Sequence, residues 1–205
     1  MRIPRAARAA ATSTLVVVFL SACVAGSSDE VAAVPQDAFW SAVQSLCGNA
    51  YGGRMVESTP PDTVMGREVL VMHVRECSAD TIRIPFHVGV NRSRTWVLTR
   101  TTAGLRLKHD HRHEDGSADS VTQYGGDTTE PGDSTSQSFH ADSLTATLIP
   151  AARTNIWTLE VVAGRSFVYA LRREGSDRRF RAEFDLSAPV PAPPPPWGAN
   201  LGDAR

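Results

Sequence analysis

Beyond Gly48 the hydrophobic pattern of this chain changes to a period of two and holds it over most of what remains, a feature that restricts the fold more than any other. The runs REVLVMHVREC, TIRIPFHV, SRTWVLTR, GLRLKHDHRH, SVTQYGG, NIWTLEVV, SFVYALRR and RRFRAEFDL alternate apolar with polar residues and are rich in β-branched and aromatic side chains. Successive side chains of a strand point to opposite faces, so each run buries one face and leaves the other to solvent. Short turn material such as SAD, TTAG, EDGS, AGR and EGSD separates the runs. Connections of that length join antiparallel neighbours, because a parallel pair needs a crossover of about a dozen residues or more. An all-β, mainly antiparallel domain follows. An up-and-down β-barrel is expected, since closure removes exposed edges, with a β-sandwich as the alternative.

One short helix precedes the strands. In QDAFWSAVQSLCG, residues 36–48, the side chains of Phe39, Trp40, Val43, Leu46 and Cys47 share one helical face, with Asp37 near the start and Gly48 just past the end. The stretch GGDTTEPGDSTS, 125–136, reads as loop, and ADSLTATLIP, 141–150, as a helical turn or two over the barrel mouth. SAPVPAPPPPWG, 187–198, must be extended, because consecutive prolines fix φ and remove donors. It reads as a strap on the barrel anchored by Trp197, or alternatively as a docking segment for an aromatic-lined groove.

The chain begins with a basic segment carrying Arg2, Arg5 and Arg8, then an apolar run from Leu15 to Leu20, then small residues. That order is a secretion signal, and the run is far shorter than the roughly 20 apolar residues of a membrane span. Leu20-Ser21-Ala22-Cys23 resembles the lipobox of bacterial lipoproteins. The resemblance implies cleavage before Cys23, acylation of that cysteine including palmitate, and a protein held in the cell envelope by its lipid. Val24 follows the cysteine, which favours the outer membrane, facing the periplasm, in a two-membrane organism. The expected organisation is a signal peptide over 1–22, a lipidated tether over 23–35, a single barrel domain over 36–188, and a proline-rich strap and tail over 189–205. Without the three signal arginines the chain keeps 18 basic residues against 22 acidic ones, hence a net charge of −4. With no basic stripe, nucleic acid is not an expected partner.

Lipidation accounts for one of the three cysteines and leaves Cys47 and Cys77 as an even pair. In an oxidising compartment they are expected to be bridged. A reactive or metal-bound thiol pair is the alternative, although no C-x-x-C motif accompanies them.

The stretch LRLKHDHRHEDG, 105–116, poses the functional question. In a strand Leu105, Leu107, His109, His111 and His113 share one face, while Arg106, Lys108, Asp110, Arg112 and Glu114 share a solvated one. A two-residue Asp115-Gly116 turn would set His113 against Ala118, His111 against Ser120, His109 against Thr122 and Leu107 against Tyr124. Three readings stay open. Two of the histidines, about 6–7 Å apart along the strand, could hold a transition metal with ligands from elsewhere, His73, His87 and His140 being the other imidazoles. The histidines could be polar filling satisfied by hydroxyls or water. Or His109, His111, His113, Ser120, Thr122 and Tyr124 could line a pocket for a small ligand. No G-x-S-x-G elbow, H-E-x-x-H pair, phosphate-binding glycine loop or calcium loop is present, so no catalytic residue is singled out and a non-enzymatic role is the expectation.

The segments IPFHVGVNRSRTW, LRLKHDHRHEDG, YGG and FDLSAPVPAPPPPWG resemble those of an uncharacterised family of bacterial secreted proteins. That resemblance implies a single domain and no particular activity. Together these readings predict a lipid-anchored envelope protein whose barrel, calycin-like in outline, binds a small ligand in a histidine-lined pocket without a cofactor. A metal-dependent enzyme or metal carrier, and a structural or protein-interaction module, are the alternatives.

Overall fold

The computed structural model of the protein describes Met1 and residues 34–199. The lipobox and most of the expected tether lie outside the described residues. Eleven strands form one antiparallel sheet: β1 (Ala50–Thr59), β2 (Leu70–His73), β3 (Glu76–Cys77), β4 (Thr81–Val88), β5 (Asn91–Thr101), β6 (Gly104–His111), β7 (Tyr124–Thr128), β8 (Ser136–Ala141), β9 (Asn155–Val162), β10 (Ser166–Arg173) and β11 (Arg179–Asp185). Each strand from β4 to β11 pairs with the next in sequence, β11 pairs with β1, and β1 with β2. The ring is closed by β2 on the C-terminal half of β4, while β3 continues the same edge along its N-terminal half. The result is a closed ten-strand up-and-down barrel of calycin-like architecture, with β2 and β3 acting as one interrupted strand.

β1 and β8 have no counterpart among the alternating runs of the sequence, and β7 extends past the run that ends at Gly126. β1 contains Gly52-Gly53, a pair that weakens a strand reading, yet a Cβ at Gly53 would lie 2.4 Å from Cδ1 of Phe184 on the neighbouring strand. The missing side chain is what lets β1 close against β11. The stretch read as loop over 125–136 contains most of β7 and the start of β8. Here a Cβ at Gly126 would lie 1.6 Å from the backbone oxygen of His140, so glycine is required by the close approach of two strands.

The barrel interior follows the period-two pattern. Trp96 and Leu98 of β5, Leu105 and Leu107 of β6, and Phe167 of β10 are all at most 2% exposed. Trp96 stacks on Phe86 and Tyr169 with ring centroids 4.7 and 4.5 Å away. Offset aromatic contacts of this kind contribute about 0.5–1.5 kcal/mol each beyond the area they bury.

One end of the barrel is stopped by α1 (Pro35–Gln44), which begins with Pro35 in its first turn. Its apolar face, Phe39, Trp40 and Val43, is buried against β8 and β9. Gln36 donates to the Thr128 hydroxyl (3.1 Å), Asp37 is paired with Arg100, and the Arg100 guanidinium lies 4.8 Å over the Trp40 ring. Just past the helix, Cys47 is bridged to Cys77 of β3 across 30 residues. In the loop-entropy view a bridge of that span contributes about 3–4 kcal/mol.

On the outside, residues 190–198 run from the start of β1 to the turn after β6. Val190 N donates to Ala50 O (2.8 Å), Trp197 N to Arg92 O (3.1 Å), and the Arg92 guanidinium to Pro195 O (3.0 Å). The outer face of β6 is therefore not simply solvated as its charges suggest. Asp110 is only 5% exposed, ion-paired with Arg83 and Arg112 at 3.0 Å each, beneath a groove shared with Pro196 and Trp197.

Candidate functional site

The end of the barrel opposite α1 is open to a cavity of about 260 Å³. Its floor is aromatic, formed by Phe86, Trp96, Trp157 and Tyr169, and its rim carries Arg94, Arg173, Arg178, Leu171 and Phe180. The segment after α2 (Ser143–Leu148) contributes Ile149 and Ala152 to one side. The N-cap of α2 is Asp142, which accepts from Thr145 N and pairs with Lys108, fixing where this lip enters the barrel.

His109 and His111 both reach this cavity, continuing the inward line of Leu105 and Leu107. His109 has both ring nitrogens engaged: Nδ1 lies 3.1 Å from Tyr124 O and Nε2 lies 2.8 Å from the Tyr169 hydroxyl. A carbonyl can only accept, so Nδ1 carries the proton and Tyr169 donates to Nε2. Burial pushes His109 down to about 3, with the bond to Tyr124 O opposing it. Its ring stacks on Tyr124 with centroids 4.4 Å apart and planes 7° off parallel. His111 is held down to about 4, by burial first and then by the charge of Arg94. Its Nε2 is 3.2 Å from the Tyr124 hydroxyl, a group that burial raises to about 12. Burial raises Tyr169 further. At neutral pH the histidines and tyrosines thus form an uncharged hydrogen-bonding wall.

The other expected site residues are placed differently, and the connection between β6 and β7 is the reason. His113 N donates to Ser117 O and Gly116 N to His113 O, both at 2.9 Å, so the turn has three central residues with Gly116 at φ +86°. An isolated bridge then sets Arg112 against Ala118, while the ladder sets His109 against Tyr124. Two residues thus lie between His109 and Arg112 where five lie between Ala118 and Tyr124, and the surplus leaves the sheet as a bulge with Gln123 at φ 61°. The register expected from a two-residue Asp-Gly turn is accordingly replaced. His113 and Ser120 are exposed and line no part of the cavity. Thr122 lies on the outer face, accepting from His111 N at 2.9 Å and 3.3 Å from Asp110 Oδ1. Tyr124 does face inward, opposite His109 rather than Leu107. His109, His111 and His113 are therefore not gathered at one point, and among the described residues no group of three or more His, Cys, Asp or Glu side chains is placed to hold a metal ion.

Sequence reasoning missed the arginines of the rim. Arg94 precedes Trp96 and Leu98 on the inward parity of β5, and Arg173 follows Phe167, Tyr169 and Leu171 on that of β10. An arginine that extends an apolar period-two run is the signal that marks both. Arg94 donates to Asn91 Oδ1 (3.0 Å) and Arg173 to Asn155 Oδ1 (2.8 Å), neutral partners in each case. No protein-family model matches this chain, and no curated protein or solved structure is significantly similar to it. Fold and cavity together define a calycin-like β-barrel with one plugged and one open end.

Proposed function

We propose that the protein is a lipid-anchored component of the cell envelope whose barrel binds a small ligand in the open-end cavity. One observation carries the binding half: the histidine and tyrosine side chains of β6, β7 and β10 turn their polar atoms into the barrel beside a water-sized to ligand-sized space, where a filled core would hold aliphatic side chains. A concave, largely apolar site with few convergent polar groups is how small-molecule sites are generally built. The anchoring half rests on Leu20 to Cys23, whose pattern supports acylation of Cys23. Among the described residues no helix is long and apolar enough to cross a membrane.

Binding is tested with the neutral dye N-phenyl-1-naphthylamine and the full chain. Saturable one-site fluorescence enhancement is expected, and Leu171→Trp, which extends a rim side chain over the cavity, should abolish it. Absence of saturable binding, or indifference to Leu171→Trp, contradicts the cavity as a site. Anchoring is tested by intact mass of membrane-extracted protein beside Cys23→Ser. Acylated mass in the wild type and a soluble, unmodified variant are expected; equal masses apart from the substitution would count against it.

A further inference from the structure

Arg94, Arg173 and Arg178 converge on the cavity from two parts of the fold: Arg94 near the start of β5, and Arg173 and Arg178 at the two ends of the turn between β10 and β11. None of the three has a carboxylate within ion-pair distance among the described residues. Several other arginines are paired, Arg106 with Asp127, Arg181 with Glu160 and Glu183, and Arg83 with Asp110, while Arg54, Arg67 and Arg165 also have no ion pair among the described residues, so it is convergence on one cavity that distinguishes these three. Arg173 and Arg178 are also close enough to repel, the charge of Arg178 and burial both disfavouring the charged form of Arg173. The nearby carboxylates make backbone hydrogen bonds and no ion pair with the three arginines. Asp62, the one acid of the lining, accepts from Val64 N (3.1 Å) and Met65 N (2.9 Å), and Asp119, outside the lining, accepts from Val121 N (2.8 Å).

Three guanidinium groups without a carboxylate partner at the mouth of an apolar cavity offer a place for a negative group to join them. Their field reaches into a low-dielectric pocket, where it is focused, in a chain whose formal net charge is −1. Guanidinium groups are suited to planar oxyanions, which they grip with paired N–H donors. Below them the walls are flat and aromatic, with Trp157 and Tyr124 rings 5.9 Å apart and His109 stacked on the latter. The uncharged hydroxyl and imidazole groups of that wall can bond a polar substituent without asking for charge.

We infer that the ligand is a small amphipathic anion: a carboxylate or comparable oxyanion held by Arg94, Arg173 and Arg178, carrying a flat apolar body that lies against Trp157, Tyr124 and Phe180. This rests on the cavity being a binding site and names the class of molecule it takes. The cavity, at about 260 Å³, sits just below the range typical of drug-sized ligands, so the body is compact.

The test pairs two dyes of the same skeleton. 1-Anilinonaphthalene-8-sulfonate is the anionic counterpart of N-phenyl-1-naphthylamine, so the ratio of their affinities reports the anion preference and leaves the apolar contact constant. The wild-type chain should bind the sulfonate at least about tenfold tighter, equivalent to about 1.4 kcal/mol. Arg94→Gln with Arg178→Gln, which leaves Arg173 as the one remaining rim arginine, should lower the ratio at least about threefold while the thermal unfolding midpoint is retained. Equal affinities in the wild type, or a ratio unchanged by both substitutions, overturns the inference and leaves the binding site standing. Failure of both dyes removes the site itself. Displacement of the sulfonate by 2-naphthoate and octanoate then separates aromatic from acyl anions; octanoate acting at the lower concentration overturns the flat body.

Discussion

Arg94 and Arg100 sit on the same strand, on the same inward parity, separated by Trp96 and Leu98 and by about 20 Å of extended chain. At one end of that strand Arg100 is paired with Asp37 and stacked on Trp40, both supplied by α1. At the other end Arg94 meets only Asn91, Ser93 and a wall of neutral imidazole and phenol. One strand thus carries a charge that the protein completes by itself and a charge that it leaves incomplete. The same contrast extends over the two ends of the barrel. The plugged end spends its helix, its disulfide and its ion pair on closure, whereas the open end keeps a cavity, an uncharged polar wall and three arginines without carboxylates. The closing contacts gather at the first, and the proposed recognition falls at the second.

The largest effect that would break this division lies in the plug. Trp40 is 2% exposed, and Trp40→Ala should cost about 3–5 kcal/mol by cavity formation, read as a shift of the urea midpoint. A change below about 1 kcal/mol would show that the helix does not hold the closed end.

Smaller, and specific to the polar wall, is the response to acid. The folded-state value of His109 is about 3, below its ordinary 6.5, so the unfolded chain binds the proton first. The contribution of neutral, buried His109 is fully present above about 6.5 and is lost as pH falls toward 3, amounting to about 2 kcal/mol at pH 5. His111 acts in the same direction. Urea denaturation at pH 7.5 and pH 5 should show this loss in the wild type and a smaller one in His109→Gln. An identical loss in both would mean that His109 is not buried neutral.

The smallest effect sharpens the comparison along β5. Arg100→Ala gives up a partly exposed ion pair and a cation–π contact and should cost about 1 kcal/mol. Arg94→Ala should stay within about 0.5 kcal/mol of the wild type. Equal costs at the two positions would erase the distinction between a completed and an incomplete charge.

Strand periodicity made the barrel legible in the sequence, and the turns between strands gave its antiparallel order. It failed at β1, where Gly53 approaches Phe184 so closely that only glycine fits although composition reads such a residue as a breaker, and at β8, which no alternating run covers. The inward parity of His109 and His111 was legible from Leu105 and Leu107. The fate of His113, Ser120 and Thr122 was not, since it depends on a three-residue turn and a bulge at Gln123 that a local Asp-Gly signal does not announce. The burial of Asp110 was hidden for another reason: its ion pair with Arg83 comes from two strands away, and Pro196 and Trp197, remote in sequence, share the groove above it. Arg94 and Arg173 were visible as arginines on apolar faces, but only the closed barrel brings them together with Arg178.

The division between the two ends is tested most directly by titrating the ¹⁵N-labelled protein with 1-anilinonaphthalene-8-sulfonate and mapping the amide shifts. Perturbations should gather at Arg94, Tyr124, Trp157, Leu171 and Arg178, with the indole N–H of Trp157 among them, while Asp37, Trp40 and Gly48 stay in place. Shifts gathered around α1, or spread along the outer groove beneath Trp197 with the open end silent, would contradict the account.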